Sequence, residues 1–218
     1  MSRNEAKMVR KPAKKTSGKP DRRVLKTRDV LGDALVKLMH EKPFEEITVQ
    51  HILDGARVSR STFYTHFSDK NDLFLSDAEE FFERMASALS ERGDKSRRLA
   101  PVREMFEHAA EWRPFLKALS EAGKLHDVME IGQECFARGI ERRIGEKGSE
   151  LRTASYETRA SMRHPGSRRT ATAISQMLAG SLMALLSWWL HAGQGLTAAE
   201  MDEMFHELAW GGIGKSAR

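Results

Sequence analysis

Between residues 56 and 70 the chain reads ARVSRSTFYTHFSDK. On a helix, Arg60, Ser61, Tyr64 and Thr65 share one side, with Thr62 and His66 on its flank, while Phe63 and Phe67 sit four residues apart on the other. The outward face holds a guanidinium, hydroxyls and a phenol rather than the usual Glu and Lys. The major groove of DNA admits such a helix. Arginine bonds guanine, serine and threonine bond base edges, and a threonine methyl packs on thymine. Tyr64, His66 and Lys70 stand where backbone phosphates would lie, and those contacts fix register rather than sequence. The plainer alternative is an amphipathic helix with a solvated polar face, which periodicity alone favours.

The elements around this stretch shift that balance. A first helix is expected from about Asp21 to His40, with Val24, Leu31, Leu35 and Leu38 on one face and Pro43 closing it. A second begins at Thr48, an N-cap, and carries Val49, Ile52, Leu53 and Ala56 at i, i+3, i+4 and i+7. Ile47 can staple onto Ile52 across that cap. The third helix repeats the arrangement, with Ser59 as N-cap and Val58 stapled onto Phe63. Two capped helices joined by Arg57-Val58 make a helix-turn-helix. Thr48 can also offer its hydroxyl and the helix N–H groups to a phosphate. A fourth helix is expected over about 69–91, and others near 101–110, 113–122, 126–146, 168–191 and 197–210. No alternating strand is evident, so the fold class is all-α.

The run from Asp21 to Phe74, above all ITVQHILDGARVSRSTFYTHFSDKNDLF, closely resembles the DNA-binding domain of the TetR/AcrR family of bacterial transcription regulators. The matching pattern is a Thr-capped helix, Val-Ser in the turn, then Phe-Tyr, His-Phe and a Lys opening the fourth helix. The resemblance covers about a quarter of the chain. It implies an N-terminal three-helix DNA-binding domain and a larger C-terminal helical domain that dimerises and binds a small effector. It further implies that Tyr64, His66 and Lys70 contact DNA and that Arg60, Ser61 and Thr62 set sequence choice. Arg57 departs from the family, which often has Gly there. A left-handed Arg costs about 1 kcal/mol more than Gly, so either the turn is strained or its backbone differs; a phosphate contact from Arg57 is a further reading.

Charge divides the chain in the same way. Residues 1–20 hold seven Lys/Arg against one acid, residues 21–70 nine against eight, and residues 71–218 twenty against twenty-two. The first twenty residues are expected to be a disordered basic tail, either a nonspecific DNA arm or a solubilising extension. Residues 21–70 form the DNA-binding domain, continuing into the fourth helix to about residue 85, and 71–218 the regulatory and dimerisation domain. The stretch 148–170, GSELRTASYETRASMRHPGSRRT, reads as a long polar loop.

Residues 171–190, ATAISQMLAGSLMALLSWWL, carry no charge. A membrane span is permitted by length, but the internal Thr, Ser and Gln and the small residues Ala179, Gly180, Ser181 and Ala184 fit a buried helix better. The resemblance implies that this helix and the next, capped by Thr197, form a four-helix dimer interface through Leu178, Ser181, Leu182, Leu185, Trp189, Met204, Phe205 and Leu208. An effector pocket is likewise implied, with Met105, Phe106, Trp112, Phe115, Met129, Phe136, Met177 and Met183 as candidate lining; a hydrophobic or aromatic small molecule suits them.

Other chemistry finds little support. AWGGIGKS (residues 209–216) fits a loose phosphate-binding loop, but a helix precedes it where a strand is required, so Gly211 and Gly212 read as a helix end. The eight histidines form no HExxH, and Cys135 is the sole cysteine, so no metal, cofactor, disulfide or catalytic residue is expected. No apolar leader is evident at the N-terminus, and a cytoplasmic location is expected. The expected function is a homodimeric, ligand-responsive repressor on a pseudo-palindromic double-stranded DNA operator. A nonspecific architectural DNA binder and an enzyme with a helical appendage are its rivals.

Overall fold

The computed structural model describes residues 22–121, 123–154, 166–192 and 195–216, with side-chain surroundings for 24–121, 123–146, 169–192 and 195–210. Among the described residues there are nine α-helices and no strand: α1 Arg22–Glu41, α2 Val49–Ala56, α3 Arg60–His66, α4 Lys70–Glu91, α5 Val102–Glu111, α6 Arg113–Glu121, α7 Leu125–Ala154, α8 Gly166–Ala192 and α9 Ala198–Ser216. The tail 1–20 lies outside the described residues. So does 155–165, the middle of the expected loop. Its two ends are helical instead, extending α7 to Ala154 and starting α8 at Gly166.

Helices α1 to α3 close around Leu31, Leu35, Ile47, Ile52, Leu53, Phe63 and Phe67, all 4% exposed or less. Ile47 and Ile52 are both buried, and Val58 packs partly buried against the same core as Phe63. A one-turn 3-10 helix, Phe44–Glu46, joins α1 to α2, and its Phe44 is buried. Helix α4 runs through both halves. Near its start, Phe74 meets Phe44 of the head (ring centroids 5.1 Å) and Phe115 of the body (6.3 Å). Further along, Phe82 reaches Phe136 of α7 (6.1 Å).

The body packs α7 against α4 and α8. Gly139 permits the first contact: a Cβ there would stand 2.7 Å from the Ala86 carbonyl oxygen. Helix α8 buries Ala179, Leu182, Met183, Leu186, Trp189 and Leu190 inside the subunit. Over Arg169–Ala192 it is long and apolar enough to cross a membrane by length and composition. The α4–α5 linker is fixed by ion pairs. Arg98 bonds Glu104 and Asp202 (2.9 Å to the latter), and Arg143, 5% exposed at its side chain, bonds Asp94 at 3.0 Å. Helix α9 opens on Thr197 in a reciprocal cap with Glu200 and continues through Gly211 and Gly212, where the sequence reads as a helix end. Near its C-terminal part, Trp210 Nε1–H donates to the Arg97 carbonyl at 2.7 Å, tying the helix back to the linker.

Candidate nucleic-acid interface

Helix α2 starts where Thr48 Oγ1 accepts from the His51 N–H (3.2 Å) while the Thr48 N–H donates to His51 Nδ1 (3.2 Å). This is a capping box with histidine in the place usually held by Glu or Gln. Lys42 Nζ also lies 3.2 Å from Nδ1, so that nitrogen accepts and the ring proton sits on Nε2. The helix ends on Arg57 at φ 55°, ψ 40°, the only non-glycine among the described residues with positive φ. Of the alternatives that the sequence leaves open for this turn, the backbone takes the left-handed one, and the side chain is exposed.

Ser59 then caps α3. Its Oγ accepts from the Thr62 N–H at 3.2 Å and lies 2.8 Å from Thr62 Oγ1 and 3.0 Å from Ser61 Oγ. Those hydroxyls therefore already serve the turn. Thr65 Oγ1 donates to the Ser61 carbonyl at 2.9 Å, so its remaining lone pairs are what it can offer outward. Phe63 is 0% exposed and holds the helix to the core; Phe67, its C-cap, is buried beside it (5.8 Å between rings). Tyr64 packs edge-on to Phe63 at 5.3 Å yet stays 51% exposed. Arg60, Ser61, Tyr64 and Thr65 are all exposed together, and Thr62 and His66 are half-buried on the flank.

Two features were not legible in the sequence. Arg60 Nη2 donates to Gln50 Oε1 on the first turn of α2 at 3.1 Å, and Gln50 in turn donates to Asp54 at 2.8 Å. Gln50 thus orients the arginine and joins the outward face. Arg28 lies over the Phe67 ring at 5.3 Å and bonds Ser76, tying α1 to the start of α4.

Lys70 is placed differently from the expectation of a phosphate contact. Its ammonium donates to the carbonyls of Phe44 (2.7 Å), Ile47 (2.7 Å) and Glu45 (3.0 Å) and lies 4.7 Å from the Phe44 ring centroid. All three N–H donors close the α1–α2 connection. Burial lowers the Lys70 pKa, a tendency Glu45 opposes.

The expected effector lining divides. Met105, Trp112 and Phe115 line one cavity of about 230 Å3 between α1, α4, α5, α6 and α7. Met129 and Met183 line a separate, larger hollow of about 690 Å3 between α6, α7 and α8. Phe106 and Phe136 are 0% exposed core residues that reach neither, and Met177 lies on the surface at 73%. The dimer set divides too. Leu182, Trp189 and Phe205 turn into the subunit's own core; Ser181, Met204 and Leu208 are exposed; Leu178 and Leu185 are half-buried. Trp188, not Trp189, is the exposed tryptophan at 48%. A helix turns about 100° per residue, so neighbouring tryptophans must part. Among the described residues, no group of three or more His, Cys, Asp or Glu is placed to hold a metal ion.

A capped helix-turn-helix with an exposed polar second helix, set on a helical body, defines a DNA-binding regulator by fold. Residues 31–76 match the family model described as bacterial regulatory proteins, tetR family, so the head is a TetR-family DNA-binding domain. No curated protein matches the chain. Among solved structures it resembles the dihydroxyacetone kinase operon activator DhaS, at 16% identity and TM-score 0.59 over 87% of this chain and 97% of that one. It also resembles a TetR transcriptional regulator from Streptococcus agalactiae (23% identity, TM-score 0.44, 87% and 96% covered) and the fatty acid degradation regulator FadR from Bacillus halodurans (17%, 0.47, 84% and 98%).

Proposed function

We propose that the chain is a ligand-responsive, homodimeric repressor that inserts α3 into the major groove of a pseudo-palindromic operator. The carrying observation is the face of Arg60, Ser61, Tyr64 and Thr65, free of carboxylate and held outward by the buried Phe63 and Phe67. Arg60, braced by Gln50, is the guanine-reading candidate, and Tyr64 the leading backbone contact. Thr48, Arg57 and His66 are secondary phosphate contacts, while Ser59 and Thr62 act through the cap. The head comprises residues 21–70 and continues into α4; residues 71–218 regulate and dimerise, and the basic tail adds nonspecific attraction.

A second copy of the chain is the partner for the last two helices, where Met177, Trp188, Met204 and Leu208 stand exposed. A dimer holds two heads at half-sites one helical turn apart. An effector that binds one spacing of the heads better than the other shifts the population toward it. The protein acts in the cytoplasm and is not an enzyme.

Fluorescence anisotropy tests this reading, with DNA from upstream of the protein's own coding region against scrambled DNA over a salt series. Discrimination on the order of 10³-fold supports a specific regulator. Equal, steeply salt-dependent binding to both supports the architectural rival. One structural neighbour is named an operon activator, so the sign has its own test: deleting the gene raises expression from the bound promoter if the protein represses, and lowers it if it activates.

A further inference from the structure

The cavity of about 230 Å3 is not purely apolar: Asp33, Asp77, Arg84 and His108 share its lining with aromatic and aliphatic side chains. One side is a run of rings. Phe81 of α4 stacks on His108 of α5 (4.5 Å, 29°), His108 stacks on Trp112 (5.7 Å, 28°), and Trp112 meets Phe115 of α6 edge-on (5.6 Å, 79°). Burial lowers the His108 pKa, so its imidazole is neutral at pH 7 and adds no positive charge to that wall.

One turn before Phe81 on the same face of α4, Asp77 also lines the cavity. Its carboxylate is half-buried and takes no hydrogen bond from a described residue, so water still reaches its oxygens. Burial raises its pKa, and Glu80, Asp33 and Asp29 raise it further; Arg84, which opposes them, also lines the cavity and is bonded to Glu80 at 2.6 Å. Gly32 of α1 makes room for it: a Cβ there would stand 2.5 Å from Asp77 Oδ1. A half-buried carboxylate among like charges, beside π faces and with its neighbouring cation Arg84 shared with Glu80, suits a further cation.

We propose that this cavity binds a small aromatic cation, with Asp77 as its counter-charge and the rings of Phe81, Trp112 and Phe115 around its apolar part. The volume equals that of roughly eight waters at ~30 Å3 each, which suits one ring and a short amine. Asp33, Val36 and Met39 of α1 also line the cavity, so the ligand touches the helix on which the helix-turn-helix is packed. It therefore biases the head against the body without a relay through the dimer interface. This regulatory part rests on the ligand-responsive reading above; the binding part does not.

The test uses three probes on one skeleton: 3-phenylpropylamine, 3-phenylpropanol and 3-phenylpropanoate, titrated into the full chain by calorimetry and tryptophan fluorescence. The amine is expected to bind more tightly than the alcohol by on the order of tenfold, and the acid not to bind. In Asp77→Asn, which removes like-charge crowding and should melt no lower than the parent, that preference collapses. Trp112→Phe abolishes the fluorescence change. Equal affinity for amine and alcohol, a preference that survives Asp77→Asn, quenching that persists in Trp112→Phe, or no saturable binding of any probe overturns the proposal. Adding the amine to protein on a DNA fragment enriched from a random library separates the two readings. Release supports both; selective binding without release keeps the site and overturns the ligand-responsive reading.

Discussion

Replacing Lys70 with Met keeps the side chain's length and removes its charge and its donors. The loss can be worked from the three carbonyls it serves. Two, Phe44 and Ile47, receive part-buried bonds of 2.7 Å; the third, Glu45, is exposed at 3.0 Å. A hydrogen bond to a charged group is worth about 1.5–3 kcal/mol, but water replaces much of it wherever the carbonyl can be reached. Taking about 1 kcal/mol for each part-buried bond and little for the exposed one gives a loss of about 2 kcal/mol. The cation–π contact with Phe44 is of the order of 0.5 kcal/mol and is partly offset by the apolar methionine. For a chain of this length the midpoint should fall by about 4–8 °C. Circular dichroism melts of Lys70→Met give that number directly. DNA binding at 15 °C, where the variant is folded, should keep the parent's salt slope, because the ammonium closes a turn rather than a phosphate contact. An unchanged melt with a slope smaller by about 0.9 would refute the reasoning and restore Lys70 to the DNA.

Tyr64→Ala, at a half-exposed site, should leave the midpoint within about 0.5 kcal/mol of the parent and weaken DNA binding at least roughly tenfold; unchanged anisotropy removes Tyr64 from the interface. Arg57→Gly relieves a left-handed arginine costing ~1–2 kcal/mol but frees the unfolded chain by ~0.4–1 kcal/mol, so a gain of about 0.5 kcal/mol by urea unfolding is expected, and a loss would mean that the side chain contributes. Arg143→Ala removes the bonds of a buried guanidinium to Asp94 and to the Arg98 carbonyl (both 3.0 Å); Asp94 stays solvent-accessible, so urea unfolding should show a loss of about 1–3 kcal/mol, and an unchanged midpoint would dismiss the clamp. Bonds from Arg98 hold the Glu104 carboxyl below its ordinary range. Its contribution is therefore present above the ordinary glutamate range and lost as pH falls through that range toward the lowered folded value; Arg98→Ala should flatten that part of an acid-unfolding profile, and an unaltered profile would dismiss the pair.

Local chemistry was legible. Thr48, Ser59 and Thr197 each cap a helix, because a hydroxyl and an N–H three residues on form a short-range pattern. The apolar stripes placed the head's core for the same reason. What escaped depends on distant partners. Lys70 meets carbonyls 23 to 26 residues away, and Arg98 meets Asp202 across 104 residues. Nothing in their neighbourhoods marks them as clamps. Periodicity could not separate Phe106 and Phe136, which are core, from Trp112 and Phe115, which line a cavity; all four are apolar residues at helical spacing. Gly211 and Gly212 read as a stop because each costs about 1 kcal/mol in a helix, yet α9 continues to Ser216 beyond Trp210 anchored on Arg97. Asp77 went unremarked because on sequence alone it is one acid among many on a helix.

The claim that α3 reads DNA sequence is tested most directly by selecting bound fragments from a random duplex library and footprinting the winner with the parent and with Tyr64→Ala. The account predicts one enriched pseudo-palindrome, with half-sites about 34–36 Å apart centre to centre and protection that Tyr64→Ala loses at equal protein concentration. Enrichment of no common sequence, or a footprint identical in the variant, contradicts it.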